Sequence, residues 1–402
     1  MKRTTVLVVG AGPAGGSLAR RLALAGVSVT LVERLVSLDH AAFSSAAIPL
    51  ADVSRMNLPA EVIAARWNAW QLLGPSRQWR HWSSRSGSLG FVLDFGLLRQ
   101  WLAEQVRRLG GDVLLGVTAL RTHQQSDASM CTSLRTRSGE LIEISSEWVV
   151  DATGQSRALM GETDHPSDPM VAGVGLEWLL KVGEAQWQLW AGRLSFLFGS
   201  ELVPQGYGWV FPMQPGHLKV GVCRLCDSRQ SQPSLISLQR RLLGISGLEQ
   251  AEVLDRHGGL IRSCISRSDR HVRGRLIALG DAISTANLLG GEGIRHAMAS
   301  AEVVADLLLE QLGTTTAVLS DGLETHYRKA MNRRLGWRWS LSGRLGRRTW
   351  LGLNSAHADR RLERWLTLLE KSSAEELSAL LFDYRFERFG LKALPYLLGL
   401  RG

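Results

Sequence analysis

The sequence predicts an α/β fold joined to an α+β region and a helical C-terminal region. Three observations predict this combination. An apolar strand, a glycine-rich turn and an amphipathic helix open the chain, polar and apolar positions alternate over residues 166–260, and apolar residues recur every four positions after residue 326. With 402 residues and 45% hydrophobic content, the chain can bury a large core and divide into two or three domains.

The first element is a βαβ unit over residues 6–34, VLVVGAGPAGGSLARRLALAGVSVTLVER. Its G-x-G-x-x-G pattern is typical of dinucleotide binding in a Rossmann-like domain. Gly10 allows the tight turn, Gly12 lets the backbone approach a pyrophosphate, and Gly15 lets helix and strand pack closely. Because strand, turn, helix and second strand all agree, an ordinary glycine-rich turn is a poor alternative.

The residues around this turn predict which dinucleotide binds. Pro13 and Ala14 begin the helix, whose first N–H groups and positive dipole end face the phosphates. Glu33, with Arg34 beside it, ends the second strand 18 positions after Gly15 and is placed to accept hydrogen bonds from ribose hydroxyls. An acidic strand end disfavours a 2′-phosphate, which leaves FAD or NAD.

Two later segments favour FAD. EWVVDATGQSR, residues 147–157, is a strand that breaks at Asp151 and Gly154, and a second strand, after residue 275, ends at Gly280 and Asp281. A glycine cluster and a long Ala-rich helix beginning near Gly293 follow. An NAD dehydrogenase has no evident need for a second such turn so far along the chain, whereas an extended FAD needs contacts for its ribityl and isoalloxazine parts.

These motifs resemble the FAD-dependent oxidoreductases typified by p-hydroxybenzoate hydroxylase, and more closely the geranylgeranyl reductase group among them. The resemblance covers nearly the whole chain. It implies that Asp281 holds ribityl or pyrophosphate oxygens and that the backbone around the start of the last long helix faces the flavin pyrimidine edge. The residues implied there are Gly290, Gly291, Gly293 and Ile294.

The alternating tract over residues 166–260 predicts an antiparallel sheet with one buried face. Within it, GYGWVFP matches the Y-x-W-x-F-P segment of geranylgeranyl reductases, which separates them from the hydroxylases. Tyr207, Trp209 and Phe211 alternate along this strand and are predicted either to line a cavity for an apolar substrate or to belong to the core.

The chain departs from the family pattern at two places. AAFSSAAIPL, residues 41–50, has neither the Cys nor the Gly usual after the second strand, and Phe95 stands where relatives commonly carry an Arg. The proton donor and the substrate are therefore unassigned, and His81, His257 and His296 receive no acid role.

Other chemistry has little support in the sequence. The C-x-x-C of Cys223 and Cys226 has no second pair or His cluster at zinc spacing, so no metal is predicted. No hydrolase or phosphoryl-transfer motif is present, and no nucleic-acid-binding module explains the net charge of +10.

A basic segment over residues 327–350 carries eight Arg or Lys residues and three tryptophans. Tyr327, Met331, Leu335 and Trp339 form an apolar stripe at helical spacing. This helix is predicted either to lie on an anionic membrane surface or to pack its stripe on the protein with a solvated basic face. LSALLFDYRF, residues 377–386, again resembles the reductase group.

The domain prediction follows from these elements. Residues 1–60, 90–165 and 265–312 are expected to form a discontinuous FAD-binding domain, 61–89 and 166–264 a substrate-binding domain, and 313–402 a helical region. Since no apolar run approaches the ~20 residues of a membrane span, the protein is expected in the cytoplasm, peripheral at a membrane if the basic helix binds lipid.

The predicted function is an FAD-dependent reductase that delivers a flavin hydride to a C=C bond of an isoprenoid or similarly lipophilic substrate. NAD(P)H or another reductant would visit transiently, because there is no second complete dinucleotide fingerprint. Two alternatives remain open: a monooxygenase that uses a flavin C4a-peroxide on an aromatic or isoprenoid substrate, and a non-catalytic flavin- or lipid-binding protein.

Overall fold

The computed structural model describes residues 2–39, 44–161, 170–227, 229, 231–313 and 322–388. The strands are β1 (Lys2–Val9), β2 (Val29–Glu33), β3 (Ala47–Pro49), β4 (Ile63–Leu73), β5 (Trp79–Ser83), β6 (Gly90–Leu93), β7 (Asp112–Leu115), β8 (Val117–Gln124), β9 (Met130–Thr136), β10 (Leu141–Asp151), β11 (Val171–Lys181), β12 (Gly192–Leu197), β13 (Gly206–Pro212), β14 (His217–Leu225), β15 (Glu252–Ser263), β16 (Val272–Arg273) and β17 (Leu276–Ala278). The helices are α1 (Pro13–Leu24), α2 (Leu50–Arg55), α3 (Phe95–Arg108), α4 (Glu184–Gln188), α5 (Leu235–Ser246), α6 (Ile294–Gly313), α7 (Leu323–Gly352), α8 (Ala356–Leu369) and α9 (Ala374–Leu381).

The first sheet has parallel strands at its centre, in the order β17, β10, β1, β2 and β7. β1 and β2 are apolar β-branched runs that are buried on both faces, as central parallel strands require. The chain leaves β1 toward β2 on one side, while β10 pairs on the other side. The carboxyl ends of β1 and β10 therefore flank a topological switch point, where open α/β sheets bind ligands.

The second sheet has the order β15, β11, β14, β13, β12, β4, β6 and β3, with β5 paired to β4. Its pairs are antiparallel except β12 with β4. One face of this sheet packs on α5 through a hydrophobic cluster. The other face carries a cluster rich in aromatic residues and joins the C-terminal helices. The predicted α/β plus α+β class is confirmed.

Sheet membership departs from the predicted domain segments at two places. β3 and β6 lie in stretches predicted for the FAD-binding domain, yet they pair with each other and β6 pairs with β4 in the second sheet. These strands are only three and four residues long, so their sequence pattern cannot indicate which sheet they join. The remaining domain boundaries stay a prediction.

Helix α7 packs its predicted apolar stripe on the protein. Tyr327, Met331 and Trp339 are fully or almost fully buried, and Leu335 packs partly buried against the core of the first sheet. The stripe is therefore not available to lipid, and the interpretation with a solvated basic face describes this side of the helix. Of the three tryptophans in the segment, Trp337 is exposed. No helix in the described part of the chain is long and apolar enough to span a bilayer.

Candidate active site

The glycines of the first turn have distinct surroundings. Gly10 has a φ of +108°, and a Cβ there would lie 2.3 Å from the Ala152 carbonyl oxygen. A Cβ on Gly15 would lie 1.9 Å from the Gly10 oxygen, so both positions exclude a side chain. Gly12 has open space where its Cβ would point, and it precedes α1 without any side-chain cap. The first N–H groups of α1 are thus left for a ligand.

Glu33 supports this turn from the end of β2. Its Oε2 accepts a hydrogen bond from Ala11 N at 2.8 Å, and its Oε1 accepts one from Leu35 N at 3.0 Å. Each carboxylate oxygen keeps a second lone pair, which a ribose hydroxyl can use. The neighbouring Arg34 is exposed and is not among the residues that line the cavity described below.

Asp151 and Gly154 have different positions in the second turn. The Asp151 carboxylate is fully buried and accepts from Thr153 through Oδ1 and from Leu159 N and Met160 N through Oδ2. Its oxygens shape the turn and do not face the cavity. Gly154, with a φ of +68° and open space at its Cβ position, does line the cavity.

The third turn presents a partly buried carboxylate to the cavity. Gly280, at a φ of +64°, approaches Ala14 so closely that a Cβ would lie 2.8 Å from the Ala14 Cβ. The next residue, Asp281, lines the cavity. Burial raises its pKa, and hydrogen bonds from Thr285 Oγ1 at 3.1 Å and from the Ala286 backbone only partly offset this effect. A ligand hydroxyl group would supply the further donor that such a carboxylate favours.

The glycine cluster before α6 is fixed by the second sheet. Tyr207 of β13 donates its hydroxyl hydrogen to the Gly290 carbonyl oxygen at 2.7 Å. Gly291 has a φ of +62°, and a Cβ on it would meet the Tyr207 hydroxyl at 2.5 Å. Asn287 N also donates to Glu292 O at 2.8 Å, which closes the loop. The predicted aromatic strand is thus bonded directly to the predicted flavin loop.

These turns surround a cavity of about 300 Å³ between the two sheets. Nine residues predicted to bind the cofactor line it: Gly12, Pro13, Ala14, Gly154, Asp281, Gly290, Gly291, Gly293 and Ile294. The other six predicted residues, Gly10, Gly15, Glu33, Arg34, Asp151 and Gly280, are not lining residues. Most of these six shape the turns by close packing or hydrogen bonding.

One wall of the cavity is aromatic. Tyr207, Trp209 and Phe211 all line it and are at the same time buried, so the two sequence interpretations, cavity or core, describe one surface. The ring of Phe196 of β12 joins them, with its centroid 5.2 Å from Phe211 and 5.7 Å from Tyr207. Phe382, from the C-terminal region, also lines the cavity.

Sequence reasoning missed the contribution of the segment after β2 and of Phe95. Residues 44–48 line the cavity. Phe95 also lines the cavity, while Arg99, one turn further along α3, lies 5.3 Å from the Phe95 ring and donates to Leu38 O. The available sequence signal was Arg99, four residues after Phe95.

A buried polar cluster at the start of α6 was also missed. Arg295 pairs with Glu292 and donates to the Phe382 carbonyl oxygen. The Tyr384 hydroxyl donates to Glu292 Oε2 at 3.0 Å and lies 2.9 Å from His296 Nε2. Burial opposes ionisation of Glu292, but Arg295 and His296 outweigh it and lower the pKa to about 2. The cluster joins the loop at residues 290–293 to the C-terminal region.

The two cysteines of the C-x-x-C have different surroundings. Cys223 lines the cavity and burial raises the pKa of its thiol to about 12, whereas Cys226 is exposed, and neither forms a disulfide. Within the described ranges, no group of three His, Cys, Asp or Glu side chains is placed to hold a metal ion.

The uncapped start of α1, the open sides of Gly12 and Gly154 and the partly buried Asp281 carboxylate fit an extended FAD. A Rossmann-like domain of this kind, covered by a separate aromatic-lined sheet, defines the class of FAD-dependent oxidoreductases. Residues 3–42 match the family described as FAD binding domain.

Sequence relatives narrow the class. The chain is 26% identical over 352 residues to a geranylgeranyl diphosphate reductase of Synechocystis sp., covering 82% of this chain and 81% of the relative. It is 28% identical over 321 residues to a digeranylgeranylglycerophospholipid reductase of Methanothrix thermoacetophila, covering 76% and 78%. The protein is an FAD-dependent oxidoreductase, and over most of its length it is similar to geranylgeranyl reductases.

Solved structures share the fold. A geranylgeranyl bacteriochlorophyll reductase-like protein from Thermoplasma acidophilum superposes with a TM-score of 0.79 at 18% identity, over 100% of both chains. A p-nitrophenol 4-monooxygenase from Pseudomonas putida superposes with a TM-score of 0.68 at 17% identity, over 96% of this chain and 98% of the other.

Proposed function

We propose that the protein reduces a C=C bond of an isoprenoid or similarly lipophilic substrate. The observation that carries this proposal is the aromatic wall of Tyr207, Trp209 and Phe211 in the same cavity as the turns that fit FAD. A wall of apolar rings excludes water and can bind a hydrocarbon chain beside the flavin. The reductases of Synechocystis and Methanothrix support the same substrate class.

The residues that would hold FAD are the cavity-lining parts of the three turns. The start of α1 at Gly12 would bind the pyrophosphate, and Asp281 would accept from ribityl hydroxyls. The backbone of residues 290–293, at the positive end of α6, would stabilise negative charge at the pyrimidine edge. When bound, reduced FAD supplies the hydride. The chain orients the substrate against it and keeps water from the site.

Turnover without oxygen tests the reaction type. Purified holoprotein is reduced with dithionite under argon and given geranylgeranyl diphosphate, and products are examined by mass spectrometry. A gain of about two mass units per saturated bond, without oxygen, is expected for two added hydrogens. A product that forms only in air and carries one added oxygen atom would instead establish the monooxygenase alternative, which the Pseudomonas putida fold neighbour keeps relevant.

A matched pair of variants tests the cavity. Phe211→Ala removes a ring from the wall, whereas Trp178→Phe changes a comparably buried residue that packs with the α5 cluster on the other face of the sheet. We expect kcat/KM for geranylgeranyl diphosphate to fall at least tenfold in the first variant and to stay within about twofold in the second. Equal losses in both would mean that the wall does not bind substrate.

We also propose that the solvated basic face of α7 binds anionic membrane surface. Lys329 and Arg333 are exposed, and the indole of Trp337 beyond them is 65% exposed. Basic side chains near an anionic surface contribute about 1 kcal/mol each, and tryptophan favours the headgroup region. A lipophilic substrate would be collected at that surface.

Liposome flotation tests the membrane proposal. The holoprotein is expected to float with phosphatidylserine vesicles and much less with phosphatidylcholine vesicles. Lys329→Glu with Arg333→Glu should abolish the difference, while Arg107→Glu with Arg108→Glu on α3, two other exposed basic residues, should retain it. Equal partition onto both vesicle types would remove the proposal.

A further inference from the structure

On the cavity face of the second sheet, four residues that pair across neighbouring strands form a row. Trp209 of β13 pairs with Gly221 of β14, Gly221 pairs with Glu177 of β11, and Glu177 pairs with His257 of β15. Residues that pair directly across antiparallel strands project from the same face. Glu177 and His257 therefore share the face that carries the aromatic wall of the cavity.

Gly221 makes room for the indole of Trp209. A Cβ on Gly221 would lie 2.2 Å from Cζ2 of Trp209, so the indole lies over the strand where any larger residue would block it. In this position Trp209 Nε1 donates a hydrogen bond to Glu177 Oε2 at 3.0 Å. The orientation of a ring that lines the cavity is thus set by a carboxylate two strands away.

Glu177 is fully buried and is held by two basic side chains. Lys219 Nζ lies 3.4 Å from Oε1, and His257 Nε2 lies 3.2 Å from the same oxygen. Burial opposes ionisation of Glu177, but Lys219, His257 and the Trp209 hydrogen bond outweigh it, so its pKa lies below the usual range. A hydrogen bond to an ionised acceptor is stronger than one to a neutral acceptor.

The same network reaches another segment that lines the cavity. Lys219 Nζ donates to the Ser44 carbonyl oxygen at 2.5 Å, and Ser44 lines the cavity. On the outer side, His257 Nδ1 lies 2.9 Å from Asp255 Oδ2, which is half-exposed. The buried charges therefore lie between two cavity walls and the edge of the sheet, and no FAD-binding turn contains them.

We propose that Glu177 is a positioning residue that fixes the indole plane of Trp209 and thereby the width of the substrate cavity. The proposal rests on the proposed function in that the cavity takes a lipophilic substrate. An indole released from Glu177 would rotate about its χ angles into the cavity and occupy volume that the substrate needs. Glu177 would then act on substrate affinity and leave flavin reduction unchanged.

Fluorine NMR tests the positioning without any substrate. The holoprotein is labelled with 5-fluorotryptophan, and the resonances of Trp209 and of Trp148, a buried residue of the first sheet, are assigned by their loss in Trp209→Phe and Trp148→Phe. In Glu177→Gln we expect the Trp209 resonance to shift or broaden while that of Trp148 stays unchanged. An unchanged Trp209 resonance in folded, FAD-loaded Glu177→Gln would overturn the proposal.

A double-mutant cycle tests the consequence for substrate. With geranylgeranyl diphosphate as the probe, Glu177→Gln and Trp209→Phe are each expected to raise KM about tenfold, with kcat within about twofold. If Glu177 acts through Trp209, the double variant will be little worse than either single variant. A hundredfold rise, the product of independent effects, would overturn the proposal. If wild-type protein does not turn over the probe, the substrate class is wrong, and the fluorine spectra still decide the role of Glu177.

Discussion

At the scale of single residues, two glycines of the first turn serve different partners. The missing side chain of Gly15 accommodates the protein itself, since a Cβ would overlap the Gly10 carbonyl oxygen at 1.9 Å. The missing side chain of Gly12 leaves open space on the cavity side. One motif therefore contains a position that maintains the fold and a position that, we propose, admits the ligand.

Alanine substitutions should separate these two roles. Gly15→Ala is expected to destabilise the protein by about 1–3 kcal/mol, the usual cost of overpacking. Gly12→Ala should leave the Tm of the FAD-free protein unchanged, because its Cβ meets no protein atom within 4 Å, and should weaken FAD binding at least tenfold. Thermal unfolding without FAD and flavin fluorescence titration measure the two effects. A fall in the Tm of FAD-free Gly12→Ala would contradict this assignment.

Residue type and spacing predicted the first glycine-rich turn, because its geometry depends on the local backbone, whereas the family resemblance implied Asp281 and the glycines before α6. Neither predicted that the carboxylate oxygens of Asp151 would accept hydrogen bonds within their own turn. Its donors, Leu159 N and Met160 N, lie eight and nine residues ahead, in a stretch without periodicity. The role of Glu177 could not be predicted from the sequence either, since its partners Trp209 and His257 come close to it only once four strands have paired.

At the scale of elements, α7 shows why an amphipathic pattern alone cannot choose its partner. The stripe of Tyr327, Met331 and Trp339 fits a lipid surface and a protein core equally well by sequence. Gly336, at φ +77° and ψ +169°, interrupts the helix within the stripe. With this kink, the two halves pack their stripe residues on different parts of the protein.

Truncation of a buried side chain in the apolar stripe of α7 should lower the free energy of unfolding. Met331→Ala is expected to lower the free energy of unfolding by about 2–5 kcal/mol, because Met331 is fully buried in the core of the first sheet. Arg333→Ala, two positions away and exposed, should change it by less than about 0.5 kcal/mol. Urea unfolding with excess FAD measures both. Equal, small effects would mean that the stripe does not pack on the core in solution.

A carboxylate in the first turn of α7 should make the stability of the protein depend on pH. Glu324 accepts from Val272 N at 2.5 Å and from Arg328 Nε at 2.6 Å. Burial opposes its ionisation, but hydrogen bonds from His271 and Arg328 outweigh it and lower the pKa from 4.5 to about 2. Because the folded-state pKa lies below the unfolded-state pKa, the ionised carboxylate stabilises the protein at pH values above the unfolded-state pKa. This stabilisation is lost as pH falls from about 4.5 toward 2.

Glu324→Gln isolates this contribution. At pH 7 the variant is expected to be less stable than wild type by on the order of 1–2 kcal/mol, after allowance for solvent screening of a partly exposed group. Urea unfolding at a series of pH values should show this difference shrinking below pH 4.5. A difference that stays constant down to pH 2.5 would show that the carboxylate is not held in its ionised form.

At the scale of the whole molecule, the C-terminal region completes the site. Arg295 bonds the Phe382 carbonyl oxygen, and Tyr384 bonds Glu292, about 90 positions away in sequence. The sequence predicted helices here and a family likeness at 377–386, but it gave no contact with the flavin loop. Such contacts depend on how the C-terminal helices return across the second sheet, which local patterns do not encode.

Removal of the Tyr384 hydroxyl group should show whether these contacts of the C-terminal region support cofactor binding. Tyr384→Phe leaves Glu292 Oε2 and His296 Nε2 without their shared partner beside the loop at residues 290–293. We expect a lower Tm and about tenfold weaker FAD binding. Thr132→Val removes a buried hydroxyl that bonds Thr122 in the first sheet and should lower Tm without weakening FAD. Since both variants lose a buried hydrogen bond, equal FAD affinities in the two would mean that the C-terminal region stabilises the fold and does not organise the flavin loop.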